Sequence, residues 1–302
     1  MTVNAGIEPR SAVIPALPTL SGKPVIRRRH QRIWLHFRHN RLAVAGGILL
    51  LLISALAIFA PTLAPYDPAY IDLGKASSAP SWQHWLGTDR MGRDILSRIL
   101  FGGRVSLGVG FAAMILGTTI GVVFGAAAGY ARGAIDGILM RFTDMMLALP
   151  TFFLLITVQA IFVPSVLNVI LVIGLTSWMG VARIVRGQFL TLKHRDFVIA
   201  ARATGCSKRR IVFSHILPNV TSQILVSFTL GVANAVLVES ALSFLGLGVP
   251  VYQASWGNML MDGQMSILTG AWWVAFFPGL MILLTAEAIN LFGDGLEDAL
   301  YR

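Results

Sequence analysis

The sequence predicts an all-α integral membrane fold: six transmembrane helices, with a helical cytoplasmic segment of nearly forty residues between spans four and five. Three observations predict it. Hydrophobic residues make up 55% of the 302-residue chain and charged residues 13%, about half the charged share of a soluble domain. Uncharged apolar runs of roughly the 20 residues that a bilayer crossing needs recur along the chain. Lys and Arg gather in particular intervening segments, as membrane orientation requires.

Residues 1–41 are polar, proline-containing and basic, with Arg27, Arg28, Arg29, Arg32, Arg38 and Arg41 near the first apolar run. They read as a cytoplasmic tail. Residues 42–64 carry no charge and form the first span. Ala55-Leu-Ala57 looks like a signal-peptidase site, but a basic region of 41 residues is too long for a signal peptide. Residues 65–104 form an external loop that opens on the turn-rich Ala64-Pro-Tyr-Asp-Pro68. At its end Ile95, Leu96, Ile99 and Leu100 share a helical face, and Asp94 and Arg98 are spaced to pair, which predicts an interfacial helix.

The remainder, 105–302, is a five-helix core with spans at 105–130, 145–162, 165–181, 220–244 and 271–292. Loop 182–219 is cytoplasmic and loop 245–270 external. Gly117, Gly121, Gly125 and Gly129 at i+4 spacing offer a ridge for close helix packing. Arg141 and Asp144 can pair where the third span begins, and Pro150 removes a backbone hydrogen bond and predicts a kink. Nineteen of the Lys and Arg residues fall on the side of the amino terminus and five on the other, which places both termini in the cytoplasm.

Several function classes are excluded. Despite a net charge of +10, the cations form no aromatic-interleaved face for nucleic acid. The single cysteine, Cys206, rules out an internal disulfide or a thiolate cluster. His30, His36, His39, His84, His194 and His215 are scattered, with no metal-ligand pair. Nor is there a phosphate-cradling G-x-x-x-x-G-K-[ST] loop, since Ser21-Gly-Lys-Pro24 lacks its first glycine and its terminal hydroxyl. No span holds a histidine or aspartate, against an intramembrane protease. A proton-coupled carrier built on Glu239 and Glu287 leaves the segment at 196–219, within the long cytoplasmic loop, unexplained.

That loop reads as two short helices. Asp196 is placed to cap the first, in which Phe197, Ala200, Ala201 and Thr204 form a mostly small-residue stripe. Gly205 permits a sharp stop. Ser207 can cap the second, whose apolar positions are Val212, Phe213, Ile216 and Leu217, while Lys208, Arg209 and Arg210 stay in water or face an acidic partner. Pro218 and Asn219 end it.

The run Ala200-Ala-Arg-Ala-Thr-Gly205, followed by Ile216-Leu-Pro-Asn219, resembles the EAA loop of ABC-importer permeases, departing at Ile199, where that family usually has glutamate. The resemblance implies a coupling helix that inserts into a cleft on an ATP-hydrolysing subunit, with Asp196, Phe197, Ala200, Ala201, Arg202, Thr204, Gly205 and Arg209 at the contact. Gly87-Thr-Asp-Arg-Met-Gly-Arg-Asp-Ile-Leu-Ser-Arg98, Ser243-Phe-Leu-Gly-Leu-Gly248, Trp256-Gly-Asn-Met-Leu260 and Asn290-Leu-Phe-Gly-Asp-Gly-Leu-Glu-Asp-Ala299 are similar to the C-type permease of dipeptide and oligopeptide importers. The last departs at Glu297, where arginine is common.

The resemblance implies a non-catalytic subunit of the cell's inner membrane, without a cofactor of its own. ATP and Mg then belong to two ATP-binding partner subunits. A second homologous permease completes a heterodimer, and an extracytoplasmic solute-binding protein docks on 65–104 and 245–270. Relatives of this architecture also carry glutathione or nickel complexes. Glu239, Glu287 and Asn290 are candidate gate or intramembrane polar residues, because an ionised acid at mid-membrane costs about 2.5–3.5 kcal/mol. Either the acids face the channel or the partner permease, or they sit near span ends against headgroups or backbone.

Overall fold

A computed structural model describes residues 37–131 and 133–301. Arg27, Arg28, Arg29 and Arg32, and with them most of the expected basic tail, lie outside the described residues. The regular structure of the described residues is helical apart from one isolated bridge between Thr88 and Asp94.

Helix α1, Arg41–Ile58, begins at Asn40, whose side chain accepts from the Ala43 amide at 3.2 Å. It is followed by α2, Ile95–Ala131, α3, Ala134–Ala148, α4, Thr151–Ile161, and α5, Val166–Leu192. Then come α6, Asp196–Ala203, α7, Lys208–Phe244, α8, Trp256–Leu268, and α9, Trp273–Tyr301. Helices α1, α2, α5, α7 and α9 are long and apolar enough to cross a membrane. The pair α3 and α4, bent by 82°, is the sixth crossing when counted as one. The bend falls at Leu149 and Pro150, so the expected kink is a full break: the proline ring fixes its φ and pushes the preceding residue into extended backbone.

Several expected boundaries and pairs differ. Residues 95–104 are not a separate interfacial helix but the first turns of α2. Their apolar side, Ile95 and Ile99, is buried against Ile53 and Ala57 of α1 and Trp256 of α8. Asp94 and Arg98 do not pair: Asp94 meets His84 Nδ1 at 2.9 Å and accepts from the Ser97 amide at 2.8 Å, whereas Arg98 reaches toward Asp262 at 3.4 Å. Arg141 is exposed, and Asp144 is held instead by Arg183 of α5 at 2.7 Å. Asp136 of α3 likewise takes a bidentate bond from Arg186 at 2.5 and 2.8 Å. These cross-helix pairs brace α5, which runs on to Leu192, so residues 182–192 are helix and not loop.

The tightest seam joins α2 to α5, and the glycine ridge makes it. A methyl group on Gly121 would stand 2.6 Å from Val181 Cβ, and one on Gly129 2.5 Å from Phe189 Cβ. Only hydrogen fits there, which lets the two backbones approach and gain dispersion contact along four turns.

Candidate functional site

The segment between α5 and α7 is a mounted protrusion. At its root Lys193, 5% exposed, donates from Nζ to the Gly129 carbonyl at 2.6 Å, tying the end of α5 to the end of α2. Arg195, not Asp196, is the capping residue of α6. Asp196 occupies the first helical position, exposed, where its charge favours the helix N-terminus. Val198 is fully buried in a cluster with Phe189, Ile211, Ile216 and Val220. Ala201 turns the same way at 8% exposure, so the expected stripe divides. Phe197 at 41%, with Ala200 and Thr204, faces outward, joined by Ile199 and Ala203. Arg202, Gly205 and Arg209 are also exposed.

The helix ends in a Schellman turn: the Cys206 amide donates to Ala201 O at 3.0 Å and the Gly205 amide to Arg202 O at 3.1 Å. Gly205 takes φ +79, which a side chain would resist. Ser207 Oγ then accepts from the Arg210 amide at 3.4 Å and starts the next helix, as expected.

That helix does not end at Pro218. Residues Ile211–Ile216 widen into a π turn in which the Leu217 amide bonds to Val212 O. The wider turn accommodates a proline that has no N–H to give. Lys208–Phe244 is therefore one continuous helix of 37 residues, about 55 Å long at 1.5 Å per residue.

Farther along, α5 and α7 wall a half-open cavity of about 790 Å3 that α4 closes at one side. Its polar lining comes from Thr151 of α4, Thr176, Ser177 and Gln188 of α5, Gln223, Ser227 and Asn234 of α7, and Glu297 of α9. None of the eight was singled out from the sequence as lining a cavity, because a polar residue every third or fourth position in an apolar run does not show which way it points.

The three intramembrane candidates are not brought together. Glu239 is fully buried and accepts from Ser243 Oγ at 2.8 Å and Ser240 Oγ at 3.4 Å. Hydroxyls of Ser106 on α2 and Ser255 before α8 also bond to it. It is a tie between three elements, enclosed by this chain, and lines no surface that a solute or partner could reach. Glu287 is exposed on α9, on a stripe with Phe276, Leu283 and Asp294. Asn290, half-buried, lies beside that stripe.

The motif from Gly87 to Arg98 builds a buried charge clamp. Arg93 bonds Asp89 at 2.6 Å and Asp262 of α8 at 2.7 Å, and Arg98, 1% exposed, completes the set. Burial pushes the Asp262 carboxyl above the usual carboxylate range, against the pull of the Arg93 and Arg98 guanidiniums.

Comparison with known proteins identifies the family of the chain. Residues 121–302 match the family described as binding-protein-dependent transport system inner membrane component, and residues 29–80 match the N-terminal transmembrane domain of oligopeptide transport permease C. A dipeptide transport system permease protein of Bacillus subtilis is 42% identical over 270 residues, 89% of this chain and 84% of that one. An oligopeptide transport system permease protein of the same organism is 40% identical over 97% of both chains. A glutathione transport system permease protein of Pectobacterium atrosepticum is 40% identical over 96% of both. A multi-pass helical chain matched over nearly its whole length in this way belongs to the family of inner membrane components of binding-protein-dependent transport systems.

Proposed function

We propose that this chain is a non-catalytic permease subunit of an ATP-driven importer, forming half of the path for dipeptides or oligopeptides that an extracytoplasmic binding protein delivers. The observation that carries the coupling role is the continuity of α7. The exposed face of α6 sits at one end of it, and the polar-lined cavity lies along its length. Two ATP-binding subunits holding ATP and Mg would grip α6 from the cytoplasm, the side on which the excess of Lys and Arg puts it. Their closure tilts α7 against α5 and turns the cavity outward; hydrolysis reverses it. A second, non-identical permease supplies the facing wall and covers the Glu287 stripe, which would otherwise leave a carboxylate in lipid.

The choice of peptides rests on the relatives' names, and the glutathione permease fits the same class because glutathione is a tripeptide. The test is ATP-dependent uptake of a labelled dipeptide into vesicles holding this chain with its cognate permease, ATPase subunits and binding protein. Uptake is expected only with the complete set. Peptide uptake by vesicles containing this chain alone would overturn the reading.

A further inference from the structure

A second cavity, of about 770 Å3, opens on the opposite side of the molecule from α6, within the range of about 300–1,000 Å3 that small-molecule sites occupy. Its walls are α2, the start of α5 and the loop at 250–254, with Phe101, Val105, Ile170 and Tyr252 giving an apolar surface. One formal charge lines it, Arg104. Arg93 and Arg98, its neighbours on the chain, are consumed by Asp89 and Asp262. Arg104 meets no carboxylate among the described residues and lies 6.0 Å above the Phe101 ring. An exposed guanidinium beside an apolar wall suits a ligand that ends in a carboxylate and carries an apolar side chain next to it.

The position of this cavity ties it to the path. Val166 and Ile170 line it, and Ile173, Ser177, Gly180, Ile184 and Gln188 line the cavity nearer α6. These residues recur every three or four positions, so both cavities lie along one face of α5. A solute entering at the first and leaving by the second would follow a single helix face. A phospholipid phosphate could also satisfy an exposed arginine, but nothing in that chemistry calls for alignment with the inner cavity.

We propose that Arg104 receives the terminal carboxylate of the solute at the outer mouth of the path, an inference that rests on the peptide-import reading above. The complete transporter in phosphatidylcholine vesicles tests it, with one peptide in free-acid and C-terminally amidated forms and wild type compared with Arg104→Gln and Arg104→Lys. The binding protein is the same in every arm, so its own preference cancels in the ratio of ratios. The free-acid to amide uptake ratio is expected to fall about tenfold in Arg104→Gln, with partial recovery in Arg104→Lys. Equal loss for both peptides, or no loss, overturns the proposal. So does an effect of Arg104→Gln that depends on adding phosphatidylglycerol and not on the peptide's terminus, which would make Arg104 a lipid contact. A second measurement needs no turnover: the complex trapped with a non-hydrolysable ATP analogue should retain the free acid by native mass spectrometry in wild type and lose it in Arg104→Gln. Retention by both sinks the idea. If wild type imports neither peptide, it is the function proposed above that fails.

Discussion

The buried ammonium of Lys193 donates to the carbonyl of Gly129 at 2.6 Å, so the end of α5 is fastened to the end of α2 at the root of the α6 protrusion. A charge-assisted bond of this kind contributes about 1.5–3 kcal/mol. Lys193→Met keeps the length of the side chain and deletes the donor. Amide hydrogen exchange across 193–207 is expected to rise by about tenfold or more, while α2 and α5 stay protected. Unchanged exchange in that loop would show that other contacts hold it.

Glu239 makes the opposite kind of tie, an acceptor shared by serine hydroxyls from three elements. Glu239→Gln retains an acceptor oxygen and is expected to assemble and transport close to wild type. Glu239→Leu orphans several buried hydroxyls and should cost about 3 kcal/mol, read as a fall in the unfolding midpoint of the detergent-solubilised transporter. A Gln variant that is stable yet inactive would restore a gating role to the carboxylate.

The fold class and the spans were legible because a bilayer demands long uncharged runs, and nothing else in the sequence produces them. The span ends were not. Arg183 and Arg186 look like loop residues until Asp144 and Asp136 are seen across from them on α3. Pro218 looks like a terminator until the π turn before it supplies the slack. Asp94 and Arg98 have the spacing of a pair, yet each finds a better partner at a distance in sequence that periodicity does not reach. On α6 the i, i+3, i+4, i+7 rule found the helix but could not separate Ala200, outside, from Ala201, inside.

The glycine ridge gives a sharp packing prediction. A methyl on Gly125 would stand 2.5 Å from the Ala182 carbonyl oxygen and 2.8 Å from Val185 Cβ, against backbone that cannot step aside. Gly125→Ala should destabilise by about 1–3 kcal/mol. Gly137 on α3 has nothing within 4 Å of its added methyl, so Gly137→Ala should be neutral or stabilise by up to about 1 kcal/mol. Equal midpoints for the two variants would contradict the α2–α5 seam.

The division of the α6 stripe decides how the docking role proposed for it is to be tested. Ala201 is 8% exposed and lies on the side of Val198, so Ala201→Trp overpacks the mount at about 1–3 kcal/mol and mixes instability with any loss of docking. Ala200 is exposed, and a tryptophan there alters only what approaches from outside. Ala200→Trp is therefore expected to keep the wild-type unfolding midpoint and membrane content. Peptide uptake should fall by about tenfold or more, since even 1.4 kcal/mol lost from the docked state is a factor of ten. The ATPase subunits should also come away when the complex is purified on a tag carried by this chain. Normal uptake with the subunits still attached would mean that the partner grips some other surface, and the continuous α7 would then have no push to carry.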